Sequence, residues 1–202
     1  MRSETLLYDN HMKKIVFATS NPNKIREVNE MIGDSYQFIG LKDIGCTEDV
    51  PETQETIKGN ALQKARYVKE HYGVDCFSED TGLEIDALDG APGVYTARYG
   101  GSERSADKNM AKVQTELGDN PNRGAQFKTV IALILNGEEH VFEGIARGNM
   151  RKEKSGEGGF GYDPIFEPEG YDITFAEMNS KEKNKISHRG QAVRALIAFL
   201  EK

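Results

Sequence analysis

The sequence predicts an α/β protein built on a mixed sheet. Short apolar runs rich in β-branched residues alternate with amphipathic helical stretches, which is the pattern of strands connected by packed helices. A two-residue turn signal, Asn136-Gly137, joins two long strand-like segments, so part of the sheet must be antiparallel. No internal repeat or linker divides the chain, and 202 residues suffice for one domain with a real core.

The elements follow in order. Lys14–Ser20 is an apolar run ending in polar residues and reads as a buried strand. Asn21-Pro22 then opens a helix with apolar spacing at Ile25, Val28, Met31 and Ile32, capped by Ser20 or Asn21 and ended by Gly33. Tyr36–Ile39 is a second strand. Thr53–Tyr72 carries Ile57, Ala61, Ala65 and Val68 on one face, with Gly73 as its stop. The DCFS run and LEIDAL read as two further strands, with Glu79-Asp80 at the tip of the first. Pro92-Gly93 and Gly100-Gly101 punctuate a loop, and Ala106–Leu117 is an amphipathic helix. Phe127–Leu135 and His140–Arg147 form the hairpin. Gly156–Gly161 is a glycine-dense loop, and Gln191–Leu200 closes the chain as a helix. Residues 1–12 are expected to be a disordered N-terminal extension ahead of a single domain over 13–202.

Composition narrows the function. Charged residues at 29% and apolar ones at 37% describe a globular chain. No apolar run is long enough for a membrane span, and the first residues lack a signal-peptide core. A net charge of −7 argues against a polynucleotide-binding face, which needs a basic field. Cys46 and Cys76 show neither disulfide-framework nor zinc spacing, so two free thiols in a reducing, cytoplasmic compartment are expected.

Four stretches carry chemistry. TSNPNKIREV places Thr19, Ser20, Asn21 and Lys24 at a helix start, where free N–H groups and the dipole favour phosphate. It is not a Walker loop, because the GxxxxGK[ST] pattern is absent. Glu79 and Asp80, with Glu52 in DVPETQET, are hard oxygen ligands suited to Mg²⁺. GEGGFGYDPIF presents Phe160 and Tyr162 among glycines, where a ring can stack on a base. KEKNKISHRGQAV sets His188 and Arg189 in the first turn of a helix that Ser187 would cap. Cations there oppose the helix dipole, a small cost that hints at a ligand.

In this order and spacing, TSNPNK (Thr19–Lys24), PETQETIKGNALQKA (Pro51–Ala65), SEDTGLEIDALDGAPGVYTARYGG (Ser78–Gly101), GGFGYDPIF (Gly158–Phe166) and SHRGQA (Ser187–Ala192) make the chain resemble the Ham1-like inosine triphosphate pyrophosphatase family. The resemblance runs from about Lys14 to the C-terminus. It implies an elongated mixed sheet with flanking helices, two lobes around a central cleft, and a homodimer. It further implies Mg²⁺-dependent hydrolysis of non-standard purine nucleoside triphosphates (ITP, dITP, XTP). Thr19, Ser20, Asn21, Pro22, Asn23 and Lys24 would bind the triphosphate, with Lys64 as a second cation. Glu52 and Asp80 would hold Mg²⁺, with Asp80 as the catalytic acid that orients or deprotonates water. Thr81 would contact substrate. Phe160, Gly161, Tyr162 and Asp163 would form the base pocket. Lys183, His188 and Arg189 would line the base and sugar-phosphate side, the last two reading the 6-oxo group. Glu79 stands where the family commonly has Asp, and its longer arm would reach the metal directly or through water. A non-catalytic nucleotide-binding protein is the competing reading, against which Glu52 and Asp80 together argue; a pyrophosphatase for another modified nucleotide is a further one.

Overall fold

The computed structural model of the chain describes residues 13–32 and 36–202. The N-terminal extension and Gly33, the expected helix stop, lie outside the described residues. Among those described, seven strands form one sheet: β1 (Lys13–Phe17), β2 (Tyr36–Gly40), β3 (Cys76–Ile85), β4 (Pro92–Gly93), β5 (Gly124–Leu135), β6 (Glu138–Met150) and β7 (Phe166–Pro168). The order is β2-β1-β3-β5-β6-β7, with β4 paired to β3. β1 runs parallel to β2 and β3, whereas β3, β5, β6 and β7 are successively antiparallel. The mixed sheet is therefore as expected. Asn136 and Gly137, both at positive φ, make the β5–β6 turn.

Five helices pack on it: α1 (Pro22–Asn29), α2 (Ile57–Tyr72), α3 (Ala106–Leu117), α4 (Ser180–Ile186) and α5 (His188–Leu200). In α1 the Asn21 side chain accepts from the N–H groups of Asn23 and Lys24, and Pro22 occupies the first turn. α2 starts at Ile57 rather than Thr53, because Thr56 caps it by accepting from the Gly59 N–H. The N–H groups of Thr53 and Gln54 donate instead to Gln63 and Asn60, holding the lead-in segment against the helix. Ser187 ends α4 and caps α5, accepting there from the Gly190 N–H.

The CFS and LEI parts of these two runs belong to one continuous strand, while Asp86–Leu88 makes a short 3-10 turn after it, so Glu79-Asp80 lies within β3 and not at a strand tip. Gly82 follows them for a different reason than a turn. A Cβ there would lie 2.5 Å from the Ile57 Cδ1 and 2.9 Å from the Gly93 carbonyl oxygen. The glycine makes room for the start of α2 and for β4 to approach the strand. Strand alternation sends Phe77 to the face covered by α1 and α5, and Cys76 to the face covered by α2. A third apolar cluster, with Leu83, Ile85, Phe127 and Phe166, lies under α3 at the other end of β3.

Candidate active site

A cavity of 690 Å³ opens between the cluster under α2 and the cluster under α3, of a size ordinary for a small-molecule site. Its walls come from the turn into α1, the segment before α2, the middle of β3, the loop after β4, the glycine loop and the start of α5. Thr19, Ser20, Asn21, Asn23, Lys24, Glu52, Lys64, Asp80, Thr81, Phe160, Gly161, Tyr162, Asp163, Lys183, His188 and Arg189 all line it. Of the expected site residues only Pro22 does not; its ring serves the first turn of α1.

The two adjacent acids do different work because a strand points them to opposite faces. Asp80 faces α2, where Lys64 Nζ lies 3.4 Å from its Oδ1 and 2.5 Å from Glu52 Oε1. Burial is the largest influence on both carboxyls. At Asp80 it prevails over Lys64 and raises the pKa above the usual 3.8; at Glu52 the closer lysine prevails and the pKa is lowered. Asp80 Oδ2 is buried with no hydrogen-bond partner.

Glu79 faces the other way and is fully buried. It accepts a two-pronged contact from Arg189, Nε and Nη2 each 2.8 Å from a carboxylate oxygen. Lys24 Nζ is 3.3 Å from its Oε1 and the Thr81 hydroxyl 2.7 Å from the same atom. Burial opposes the charge, yet Arg189 and Lys24 hold Glu79 well below the usual carboxylate range. The expectation that Glu79 reaches a metal beside Asp80 is thus corrected: its carboxylate is committed to Arg189 on the opposite face.

Four cations of the cavity, Lys24, Lys64, Lys183 and Arg189, are paired within the protein. Arg189, with 2% of its surface exposed, contacts both Glu79 and Glu27. Lys183 Nζ sits 2.8 Å from Glu27 Oε1 and 2.7 Å from Asp163 Oδ2. Both cations line the cavity, but as members of a buried chain, Lys24–Glu79–Arg189–Glu27–Lys183–Asp163, in which charges alternate. Glu27 was not anticipated. It lies beside the apolar stripe of α1, and a glutamate next to Val28 with Lys24 one turn earlier was the only sequence signal.

At the far end of the cavity, Asp163 accepts from the Phe160 N–H at 2.7 Å and so shapes the glycine loop. Gly161 has φ +65 with open space around it. Phe160 carries Lys183 and Arg189 at 5.2 and 5.4 Å from its ring centroid. Tyr162 is buried in the third core cluster and donates its hydroxyl to the Thr96 carbonyl, so it supports the pocket more than it faces it. His188 stacks on Phe127, centroids 4.6 Å apart, and burial with the nearby Arg189 and Lys183 keeps its pKa well below 6.5. Its Nδ1 is buried without a partner. Phe127, Asn109, Arg98 and Arg104 also line the cavity and were not expected there.

Among the described residues no three His, Cys, Asp or Glu side chains converge as a complete metal cage. The pair that does converge, Glu52 and Asp80, suits a hard cation that keeps waters and takes phosphate oxygens as remaining ligands. The unpartnered Asp80 Oδ2 and the net negative charge of Glu52, Asp80 and Lys64 fit such an ion.

Comparison with known proteins gives concordant results. A family model described as the Ham1 family matches residues 15–199. The dITP/XTP pyrophosphatase of Flavobacterium psychrophilum is 56% identical over 188 residues, 93% of this chain and 99% of that relative. The structure of the Staphylococcus aureus Ham1 protein is 39% identical with a TM-score of 0.85, covering 94% of this chain and 98% of that one. A Ham1 protein from Coxiella burnetii gives 37% and 0.87, covering 94% and 99%.

Proposed function

This chain belongs to the Ham1 family, and from that premise we propose that it hydrolyses ITP, dITP and XTP to the nucleoside monophosphate and pyrophosphate with Mg²⁺. The observation that carries the reading is the Asp80 carboxylate: buried, raised in pKa, with one oxygen unpartnered inside a cavity that also holds Lys24, Lys64 and Phe160. By family resemblance the enzyme is a cytoplasmic homodimer; no helix among the described residues is long and apolar enough to cross a membrane.

Glu52 and Asp80 would hold the metal, which supplies charge neutralisation on the phosphates and a more acidic water. Asp80 Oδ2 aims a water at the α-phosphorus and accepts its proton, and the raised pKa makes this carboxylate the better base of the pair. The N-terminus of α1, Lys24 and Lys64 receive the phosphate oxygens, so the step is chiefly positioning and charge stabilisation. Phe160 stacks the base. His188 stays neutral, and its Nδ1 meets the base edge without competition from the protein. A site that hydrogen-bonds a 6-oxo acceptor rejects an adenine amino group, because the mismatch leaves buried polar atoms unpaired.

Pyrophosphate release from ITP, XTP, dITP, GTP and ATP, with and without Mg²⁺, tests the reading. Turnover of the first three only with the metal is the expected outcome; nucleotide binding without release would make the chain a binding protein. Asp80→Asn is expected to abolish turnover and raise Tm, since it removes a carboxylate whose charge burial disfavours. Near-normal rates in that variant would remove Asp80 from the chemistry.

A further inference from the structure

Lys24, Lys64, Lys183 and Arg189 each carry a carboxylate partner within the protein. Arg98 and Arg104 line the same cavity, and neither guanidinium has an ion pair or a side-chain hydrogen bond among the described residues. Arg98 rests over the Tyr95 ring, 5.2 Å from its centroid, which leaves the donor edges of the guanidinium free.

The loop that bears them is held firmly. Its short helical turn, Thr96–Arg98, is tied to β3 through the Thr96 hydroxyl, which accepts from the Leu83 N–H at 2.8 Å. Tyr162 donates to the Thr96 carbonyl at 2.9 Å. The buried Asn109 of α3 accepts from the Gly100 N–H at 2.6 Å and donates to the Ala97 carbonyl at 3.1 Å. Gly100 packs on α3 so closely that a Cβ would lie 2.4 Å from the Lys108 carbonyl carbon. Arg98 is thus a free cation on a fixed support. Arg104, further along the chain, lines the same cavity.

Building on the proposed hydrolysis, we infer that Arg98 and Arg104 bind the terminal two phosphates of the substrate and hold them as the departing pyrophosphate. The paired cations already balance protein carboxylates, and a metal–triphosphate complex keeps excess negative charge. Among the described residues that line the cavity, only these two Lys or Arg side chains bring compensating charge not already claimed, and arginine's fork suits phosphate oxygens.

The test compares Arg98→Ala, Arg104→Ala and the two Lys replacements with the parent enzyme. Readouts are kcat and KM for ITP, inhibition by inorganic pyrophosphate with Mg²⁺, and binding of IMP. Each Ala variant is expected to raise the pyrophosphate inhibition constant and the ITP KM about tenfold, the loss of one charge-assisted contact. IMP affinity and Tm should stay as in the parent, and the Lys variants should recover part of the loss. Unchanged pyrophosphate inhibition, or IMP affinity falling in step, overturns the inference. If the parent fails to hydrolyse ITP, the function reading falls separately. Calorimetric titration with Mg²⁺-pyrophosphate then still decides the arginines: tenfold weaker binding in the Ala variants supports the assignment, and equal binding refutes it.

Discussion

Two neighbouring carboxylates, Glu79 and Asp80, take opposite roles because each residue of a strand turns its side chain to the other face. Asp80 keeps one oxygen without a protein partner, while both oxygens of Glu79 accept from a buried arginine. Removing one partner from such a pair leaves an uncompensated buried charge. Glu79→Gln is therefore expected to cost about 3–5 kcal/mol in urea unfolding. A loss below 1 kcal/mol would mean that Arg189 finds a replacement partner. Asp80 and Phe160 were legible as pocket residues from residue type and order, and Lys64 through the family resemblance. Glu27 was not, since its partners Lys183 and Arg189 lie 156 and 162 positions away. Spacing along a chain carries no trace of a contact that only the closed sheet creates. For the same reason the ion pairs of Lys183 and Arg189, both of which line the cavity, left no sign in the sequence.

At the level of elements, caps and glycines were reliable and boundaries were not. Asn21 with Pro22, Gly73 and Ser187 act as their residue types suggest. α4 escaped notice because KEKNKI, with three Lys and two buried polar residues, lacks an apolar stripe; it is held by its cap at Asn179 and by the ion pairs of Lys183. Likewise Thr81-Gly82 looked like a break in a strand, when Gly82 is where another element comes close. Gly144 in β6 makes the same point for α5. A Cβ there would lie 2.0 Å from the His188 carbonyl oxygen and 2.8 Å from the Ala192 N. Gly144→Ala must push the start of α5 off the sheet, displacing His188 and Arg189, the two residues there that line the cavity. The expected result is a loss of about 1–3 kcal/mol in stability. ITP turnover should fall further than Tm explains, with weaker discrimination against ATP. A variant that loses stability but keeps selectivity would show that the helix start does not set base choice.

Across the whole molecule, the buried glutamates of the ion-pair chain and the buried His188 respond to acid in different pH ranges. Glu27 and Glu79 have pKa values lowered by Arg189 and its neighbouring lysines despite burial. Their stabilising contribution is present above about pH 4.5 and is lost only as pH falls through their depressed folded values. His188 acts earlier. Burial is the main cause of its depressed pKa, with Arg189 and Lys183 reinforcing it and Glu79 opposing, so the folded protein holds the ring neutral. Below the ordinary value of 6.5 the unfolded chain takes up a proton that the folded one refuses. Stability must then fall with pH by about 1.4 kcal/mol per unit, one proton's linkage. Urea unfolding at pH 7.5, 6.5 and 5.5 should show this slope beginning near 6.5 in the parent. His188→Gln should be flat over that interval and decline only in the carboxylate range. A parent flat down to pH 5 would mean that the imidazole is reached by water or accepts a proton in place, and the neutral base-reading role given to it would go with that result.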